Sequence, residues 1–418
     1  MDDTSKKTGT APRSPKRPGN GTSRPKGSNP GRGGNHGKKK KKKGKRRSPA
    51  LRLLRAIMLI ASILVAAATV VTAYSGDISP LKSGGFWGIL PLCFPMILLA
   101  AICLIVLQIW WHWRGVIIVA LGLLASASPA LSVCPLHIHF GERRAPDGSD
   151  KFTLLSYNTF NFNEQRDSTD TDTPNRMLDY VIQTNADIVC LQEAYLPAVS
   201  PQQHITAEQV QKLHSLYPYI ITNGHRQTIL SKYPVQPLHL SLTKEEFDDA
   251  DLAAYRLTFP SGRSATIFNV HLQSLSLTTD DRELYLGLTD LERRPISNVR
   301  QQLIHKLSVA NVERARQSQA LLRFIRHYGG PDVIVCGDFN DVVTCYAIQQ
   351  LRDAGFHDLY ATIGFGPIIT YNSDRLYFGI DHILYRGDFV PLDIEKGTLK
   401  ASDHYPLLAT IALKPSSR

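Results

Sequence analysis

VIVCGDFND, residues 333 to 341, decides how the rest of the chain is read: an apolar run stops abruptly at a glycine, a carboxylate, an aromatic ring and an amide. Val333, Ile334, Val335 and Cys336 follow the breakers Gly329, Gly330 and Pro331. A short β-branched run bounded in this way predicts a strand covered on both faces. Gly337 lets the backbone turn, and Asp338 and Asn340 project beyond it. A carboxylate and an amide two residues apart at a strand end can hold a hard cation or set a water against a phosphate. An Asx-rich turn closing a core strand uses the same residues, so the choice rests on how the other strands end.

A length of 418 residues allows two or three domains, and 43% hydrophobic residues are ample for a core. The net charge of +12 is unevenly spread. Residues 1–55 carry 19 basic and 2 acidic side chains, residues 56–150 balance at 4 of each, and residues 151–418 hold 25 basic against 30 acidic. The basic character belongs to the tail. The acidic remainder disfavours a broad surface for nucleic-acid phosphates.

Residues 1–50, rich in Gly, Pro, Ser, Lys and Arg and including the run Lys38 to Lys43, form a disordered basic tail with too little apolar surface to fold. The tail suits anionic membrane lipids, at about 1 kcal/mol per basic residue near the surface, or serves only to fix topology. From Ala56 to Gly76 no charge interrupts an apolar run long enough to cross a bilayer as a helix. A second span runs from about Gly84 to Trp111, with all 4 Trp at its ends, and a third from about Gly115 to Leu136, interrupted by Pro129 and Pro135. The expectation is thus a transmembrane region over 51–136, a linker over 137–150 and a catalytic domain over 151–418. The positive-inside rule puts the tail in the cytoplasm. Three crossings then place the domain outside, integral to a bacterial inner membrane, whereas two would leave it cytoplasmic. Cys190, Cys336 and Cys345 cannot complete a disulfide framework and read as buried thiols.

Beyond Phe152 strands and helices alternate, an α/β pattern with mixed sheets. Apolar strands repeatedly end in groups suited to phosphate chemistry: Asn158, Glu193, His271, Asp338 with Asn340, Asp381, and Asp403 with His404. Any one alone reads as a surface carboxylate or a satisfied core histidine; the recurrence is the signal.

The ordered segments SYN at 156–158, LQE at 191–193, ILSKYP at 229–234, NVHL at 269–272, GDFND at 337–341, IDHIL at 380–384 and SDHYPL at 402–407 resemble the endonuclease/exonuclease/phosphatase superfamily over roughly residues 151–414. The resemblance implies a four-layer α/β sandwich of two mixed sheets flanked by helices, with the site at one edge. It implies Mg²⁺, or Mn²⁺ in its place, with Glu193 as the principal ligand and Asn158 and Asp403 in or beside its shell. Asp338 would deprotonate the attacking water, Asn340 would hold the water or the phosphate, His404 paired with Asp381 would donate to phosphoryl oxygens, and His271 would assist. Arg316 and Gln319 resemble the family's structural brace on the helix before the GDFN strand. Gly379 departs from the pattern where many relatives carry Arg, leaving that contact to Arg375 or Arg226. The stretch 272–316 exceeds a minimal hairpin and reads as a lid or membrane-facing wall.

The resulting expectation is a membrane-anchored Mg²⁺-dependent phosphodiesterase acting on a lipid headgroup or another extracytoplasmic phosphoester, HLQS at 271–274 resembling neutral sphingomyelinases. The alternatives are an extracytoplasmic nuclease, using a patch of Lys306, Arg314, Arg316 and Arg323, and a non-catalytic membrane scaffold of the same fold. No obligate protein partner is inferred.

Overall fold

Residues of the opening stretch alternate between two cores, as a strand of period two requires: Ile334 and Cys336 enter one, Val333 and Val335 the other. The structure, a computed structural model, describes residues 48–138, 141–166, 173–195, 197–223, 226–241, 251–274, 296–373 and 376–415. Residues 1–47 of the basic tail, Arg375 and residues 275–295 of the expected lid lie outside the described residues.

Strands β1 (Asp150–Asn158), β2 (Ile188–Gln192), β3 (Tyr219–Asn223), β4 (Gln227–Ser231), β13 (Phe389–Lys396) and β14 (Leu407–Leu413) form one sheet in the order β13-β14-β1-β2-β4-β3. Strands β5 (Val235–Leu238), β6 (Asp251–Thr258), β7 (Ser264–His271), β8 (Val333–Asp338), β9 (His357–Asp358) and β12 (Asp381–Arg386) form the second, ordered β5-β6-β7-β8-β12-β9. A small ribbon joins β10 (Tyr371–Ser373) to β11 (Leu376–Phe378). Both large sheets are mixed: β1 and β2 are parallel, as are β7 and β8, while their other neighbours are antiparallel.

The sheets meet through Phe152, Leu154, Ile229, Ile267, Ile334 and Ile383, each worth about 1.5–3 kcal/mol on burial. Helices α6 (Arg176–Thr184) and α7 (Ala207–Leu216) cover the first sheet with Leu178, Val181 and Leu213. Helices α8 (Ile296–Tyr328) and α9 (Tyr346–Asp353) cover the second with Leu321, Ile325 and Ile348. The four-layer expectation is met. Gly337 has no substitute where parallel β7 and β8 approach: a Cβ there would lie 2.0 Å from Val270 O.

Ahead of the sandwich, α1 (Pro49–Tyr74) and α3 (Leu90–Gln108) belong to the two stretches long and apolar enough to cross a membrane, Pro49–Asp77 and Gly85–Gln108. Between them sits a short helix, α2 (Pro80–Ser83). The expected third span is made of two helices, α4 (Trp113–Ala125) and α5 (Ala127–Val133), bent by 73°. Proline explains the break: Pro129 has no N–H to return to the Ala125 carbonyl, which accepts instead from Tyr74 Oη at 2.7 Å. Arg55 reaches the Trp111 carbonyl near the start of α4, Gly122 packs against Ala66, and Tyr74 meets the end of α4. Helix α4 therefore retraces α1 from its Arg55 level to its Tyr74 level.

The catalytic layers sit against this Tyr74 end. A Cβ on Gly85 would lie 1.7 Å from Ser308 O, and one on Gly88 2.7 Å from Asn311 Cγ, so backbone of the loop between α1 and α3 is pressed directly onto α8. After α5, Gly366 N donates to Pro135 O at 2.7 Å and Leu136 bridges to Phe365, fastening the end of the expected transmembrane region to the segment after helix α10 (Leu359–Ile363).

Candidate active site

The inward-facing positions of four strands change character at the same end of the sandwich. On β1 they run Phe152, Leu154, Ser156, Asn158; on β7, Ala265, Ile267, Asn269, His271; on β8, Ile334, Cys336, Asp338; and β12 begins with Asp381 before Ile383. Register aligns these ends: His271 lies opposite Asp338, and Asp338 opposite Asp381. Beneath the site a polar layer links the sheets, with Gln192 Nε2 donating to Asn269 Oδ1 at 2.7 Å and Asn269 Nδ2 to Leu191 O at 3.0 Å. Buried amides paired in this way fix how the two sheets register.

Asn158 Nδ2 donates to Glu193 Oε1 at 3.1 Å and to Asp338 Oδ2 at 3.0 Å, joining residues from both sheets. His271 Nε2 lies 3.6 Å from Glu193 Oε1 and 3.8 Å from Asp338 Oδ2. On the other side, His404 Nε2 lies 3.5 Å from Asp338 Oδ2 while its Nδ1 is 2.8 Å from Asp381 Oδ2. Asn340 closes the turn, its backbone N–H donating to Asp338 Oδ1 at 2.8 Å and its Nδ2 to Leu272 O at 2.9 Å. Glu193 and Asn340 both hold left-handed backbone, φ +48° and +52°, a costly conformation for a glutamate and one that clusters at functional sites.

Burial pushes Asp338 up to about 6; neighbouring Asp381 adds to the rise, and His404 and His271 oppose it. Burial alone would lower His404, but the charges of Asp381 and Asp338 and the hydrogen bond to Asp381 carry it to about 10. A carboxylate poised near neutrality thus stands beside a cationic imidazole.

The structure gathers Asn158, Glu193, His271, Asp338, Asp381 and His404 into one cluster. Asp403 is placed differently. Its Oδ1 lies 3.1 Å from Ser402 Oγ, which also lies 2.9 Å from Asn158 O and accepts from His404 N at 3.2 Å. The three groups able to offer ligand atoms within 4.8 Å of one another, among the described residues, are Asp338, Asp381 and His404. With Glu193 and Asn158 alongside, the donors are chiefly carboxylate and carboxamide oxygens, which fits a hard divalent cation.

Two features escape motif reading. Thr370 Oγ1 accepts from both Ile380 N and Asp381 N at 3.0 Å, positioning the Asp381 backbone. The brace on α8 is Arg314 with Gln317 rather than Arg316 with Gln319. Arg314 Nε donates to Asp341 Oδ2 at 3.1 Å and its guanidinium also reaches Gln273 O and Asn311 Oδ1; Gln317 Oε1 accepts from Gln273 N at 2.8 Å. Among the described residues, exposed Arg316 pairs with half-buried Glu313. Two residues turn a helix by about 200°, so the shift exchanges the buried face for the solvent face. Arg314, 2% exposed, is thereby removed from the proposed nucleic-acid patch. At Gly379 a Cβ would lie 2.7 Å from Ile368 O, so this backbone has no room for the arginine of other family members.

Solved structures similar to this chain include an endonuclease/exonuclease/phosphatase family protein from Bacteroides thetaiotaomicron (15% identity, 64% of this chain and 99% of that one, TM-score 0.40). Truncated Caenorhabditis elegans TDP2 is also similar (19%, 62% and 97%, TM-score 0.37), as is the human Nocturnin catalytic domain with bound sulfate anion (15%, 66% and 97%, TM-score 0.40). No curated protein matches. Residues 155–404, well over half of the chain, match the family as a continuous block that begins in β1 and ends at His404. The chain belongs to the Endonuclease/Exonuclease/phosphatase family.

Proposed function

We propose that the protein is a membrane-anchored, divalent-metal-dependent phosphoester hydrolase in which a water activated by Asp338 attacks phosphorus. The observation that carries this reading is the Asn158–Asp338–His404–Asp381 chain of contacts, which joins both sheets at one edge. Asp338 near 6 is suited to accept a proton from water at neutral pH. Asn340 donates one Nδ2 hydrogen to Leu272 O, which orients the carboxamide so that its oxygen can accept from a water. His404, cationic and held by Asp381, donates toward a phosphoryl oxygen as negative charge builds there. His271 assists from the Glu193 side. Glu193 and Asn158 would hold the cation, Mg²⁺ or Mn²⁺, with Asp403 next to them. When bound, such an ion supplies Lewis-acid polarisation of the phosphoryl group.

The domain packs on the end of α1 remote from Pro49. With the basic tail cytoplasmic and α4 retracing α1, the domain stands on the extracytoplasmic side, and the tail's charge attracts anionic headgroups on the other.

The test uses the full chain in detergent with the soluble diester bis(p-nitrophenyl) phosphate. Turnover that requires a divalent cation and is lost with EDTA, in Asp338→Asn and in His404→Gln supports the reading. A wild-type protein inert with both Mg²⁺ and Mn²⁺ overturns it in favour of a scaffold.

A further inference from the structure

A cavity of about 190 Å³ lies between the membrane helices and the catalytic edge of the second sheet. One wall is Pro95 of α3 with Ser132 and Val133 of α5; the other includes Val343, Ile369 and Tyr377 and reaches Asp381 itself. The cavity runs along a gap in the sheet. Among the described residues, β9 pairs with Leu384 and Tyr385 and no strand flanks Asp381 to Ile383 on that side of β12.

Its surroundings specify an apolar occupant. The two carboxylates in the lining, Asp358 and Asp381, are already paired with His382 and His404 at 3.0 and 2.8 Å, and the remaining walls are mostly hydrocarbon. For comparison, an apolar cavity of about 150 Å³ is enough to take up benzene. Continuity with the bilayer specifies the source. Met96 and Leu131, next in sequence to the wall residues Pro95 and Ser132, are exposed apolar side chains on helices of the membrane region. On the domain side Ile369 and Tyr377 are exposed as well as lining, and Phe365, four residues before Ile369, is exposed too. A large exposed apolar side chain at a cavity rim that adjoins lipid-facing helices is a surface made for hydrocarbon.

We propose that this cavity receives hydrocarbon chain from an amphiphilic phosphoester, a membrane lipid, and so presents the phosphate to Asp338 and His404. The proposal rests on the hydrolase reading above and names its substrate class. It assigns Ile369, Val343 and Tyr377 to specificity, with no part in the chemistry. The membrane region is then one wall of the substrate site as well as an anchor.

The test compares methyl and dodecyl p-nitrophenyl phosphate as substrates of the full chain in detergent, in wild type and in Ile369→Trp and Val343→Trp, which fill the cavity from the domain side. The expected result is a kcat/KM at least tenfold higher for the dodecyl ester in wild type, with that advantage lost in both variants while methyl-ester turnover stays within twofold. Equal turnover of the two esters, or a dodecyl advantage untouched by both substitutions, overturns the proposal while leaving the hydrolase reading intact. If neither ester is cleaved, the hydrolase reading fails, and the cavity is judged separately by photolabelling. Phosphatidylcholine vesicles carrying a diazirine in the acyl chain should label Ile369 and Tyr377 in wild type. Labelling confined to the outer faces of α1, α3 and α4 overturns the proposal, whether the cavity is closed or covered by another part of the chain.

Discussion

Asn311 Nδ2 donates to the Gly85 carbonyl at 3.0 Å, so a residue of the long helix over the second sheet is bonded to the loop between α1 and α3. Arg314 continues the connection, bonding Asn311 on one side and Asp341, three residues beyond Asp338, on the other. The loop between α1 and α3 and the end of β8 therefore share buried polar partners.

Substituting Gly85 by Val should disrupt this seat, because a Cβ there meets backbone of Ser308 that cannot rotate away. Overpacking of this kind costs about 1–3 kcal/mol. The full chain in detergent should unfold several degrees lower, whereas Gly262→Ala, where an added Cβ meets nothing within 4 Å, should pay only for its backbone conformation. Equal melting of Gly85→Val and wild type would show that α8 does not rest on this loop.

Arg314 and Arg316 should behave oppositely. Arg314→Ala leaves Asp341 buried without its cation, a loss of about 3–5 kcal/mol for a broken buried pair. Arg316→Ala removes an exposed pair with Glu313 worth about 0.5 kcal/mol or less. Denaturant midpoints of the two variants measure the difference, and similar midpoints would contradict the assignment of the brace.

That pair also marks where the sequence was legible. Strands ending at Asn158, His271 and Asp338 could be read because β-branched alternation and the terminal polar residue lie together in the chain, and the sandwich follows from them. Thr370 could not be read: its value lies in meeting two N–H groups ten and eleven residues away, in a stretch with no local pattern. Which arginine of α8 points inward depends on helical phase, and a helix with basic residues on both faces does not announce its phase. The broken third crossing was half legible, since Pro129 was visible but the Tyr74 hydroxyl that takes over its carbonyl was not.

The pH dependence of turnover should show an acid limb with an apparent pKa of about 6 or lower. As the proposed base Asp338 acts deprotonated, so activity should be lost as pH falls through its value. A cation held by Glu193 favours the carboxylate and should move the limb lower as its concentration rises. His404 stays cationic up to about 10, so its loss should not limit activity at pH 8. An acid limb fixed at all metal concentrations would separate Asp338 from the cation site.

His382 and Asp358, buried against each other at 3.0 Å, should make stability depend on pH in a bounded window. Burial opposes both charges, but His382 holds Asp358 below its ordinary value and Asp358 holds His382 above its own. The lowered carboxylate contributes above its unfolded value of about 3.9, a contribution lost as pH falls through the folded value. The raised imidazole contributes fully below about 6.5, and its contribution is lost as pH rises through the folded value. The deficit of His382→Gln relative to wild type should therefore be largest between about pH 4 and 6.5 and shrink on the alkaline side. A deficit flat from pH 4 to 9 would mean the pair is held without charge.

The seat of Gly85 on α8 also has a consequence in time. Asn311 follows Gly85 by 226 residues, which at roughly 5–20 residues per second is on the order of ten to forty seconds of synthesis. Throughout that interval the loop's carbonyl and glycine surface lack this partner. With α1 and α3 in a bilayer, as proposed, both helices would be inserted well before the long helix exists, and the last half of the chain would fold onto a platform already in place. Errors in inserting α1 and α3 would then appear as misfolding of the domain made later.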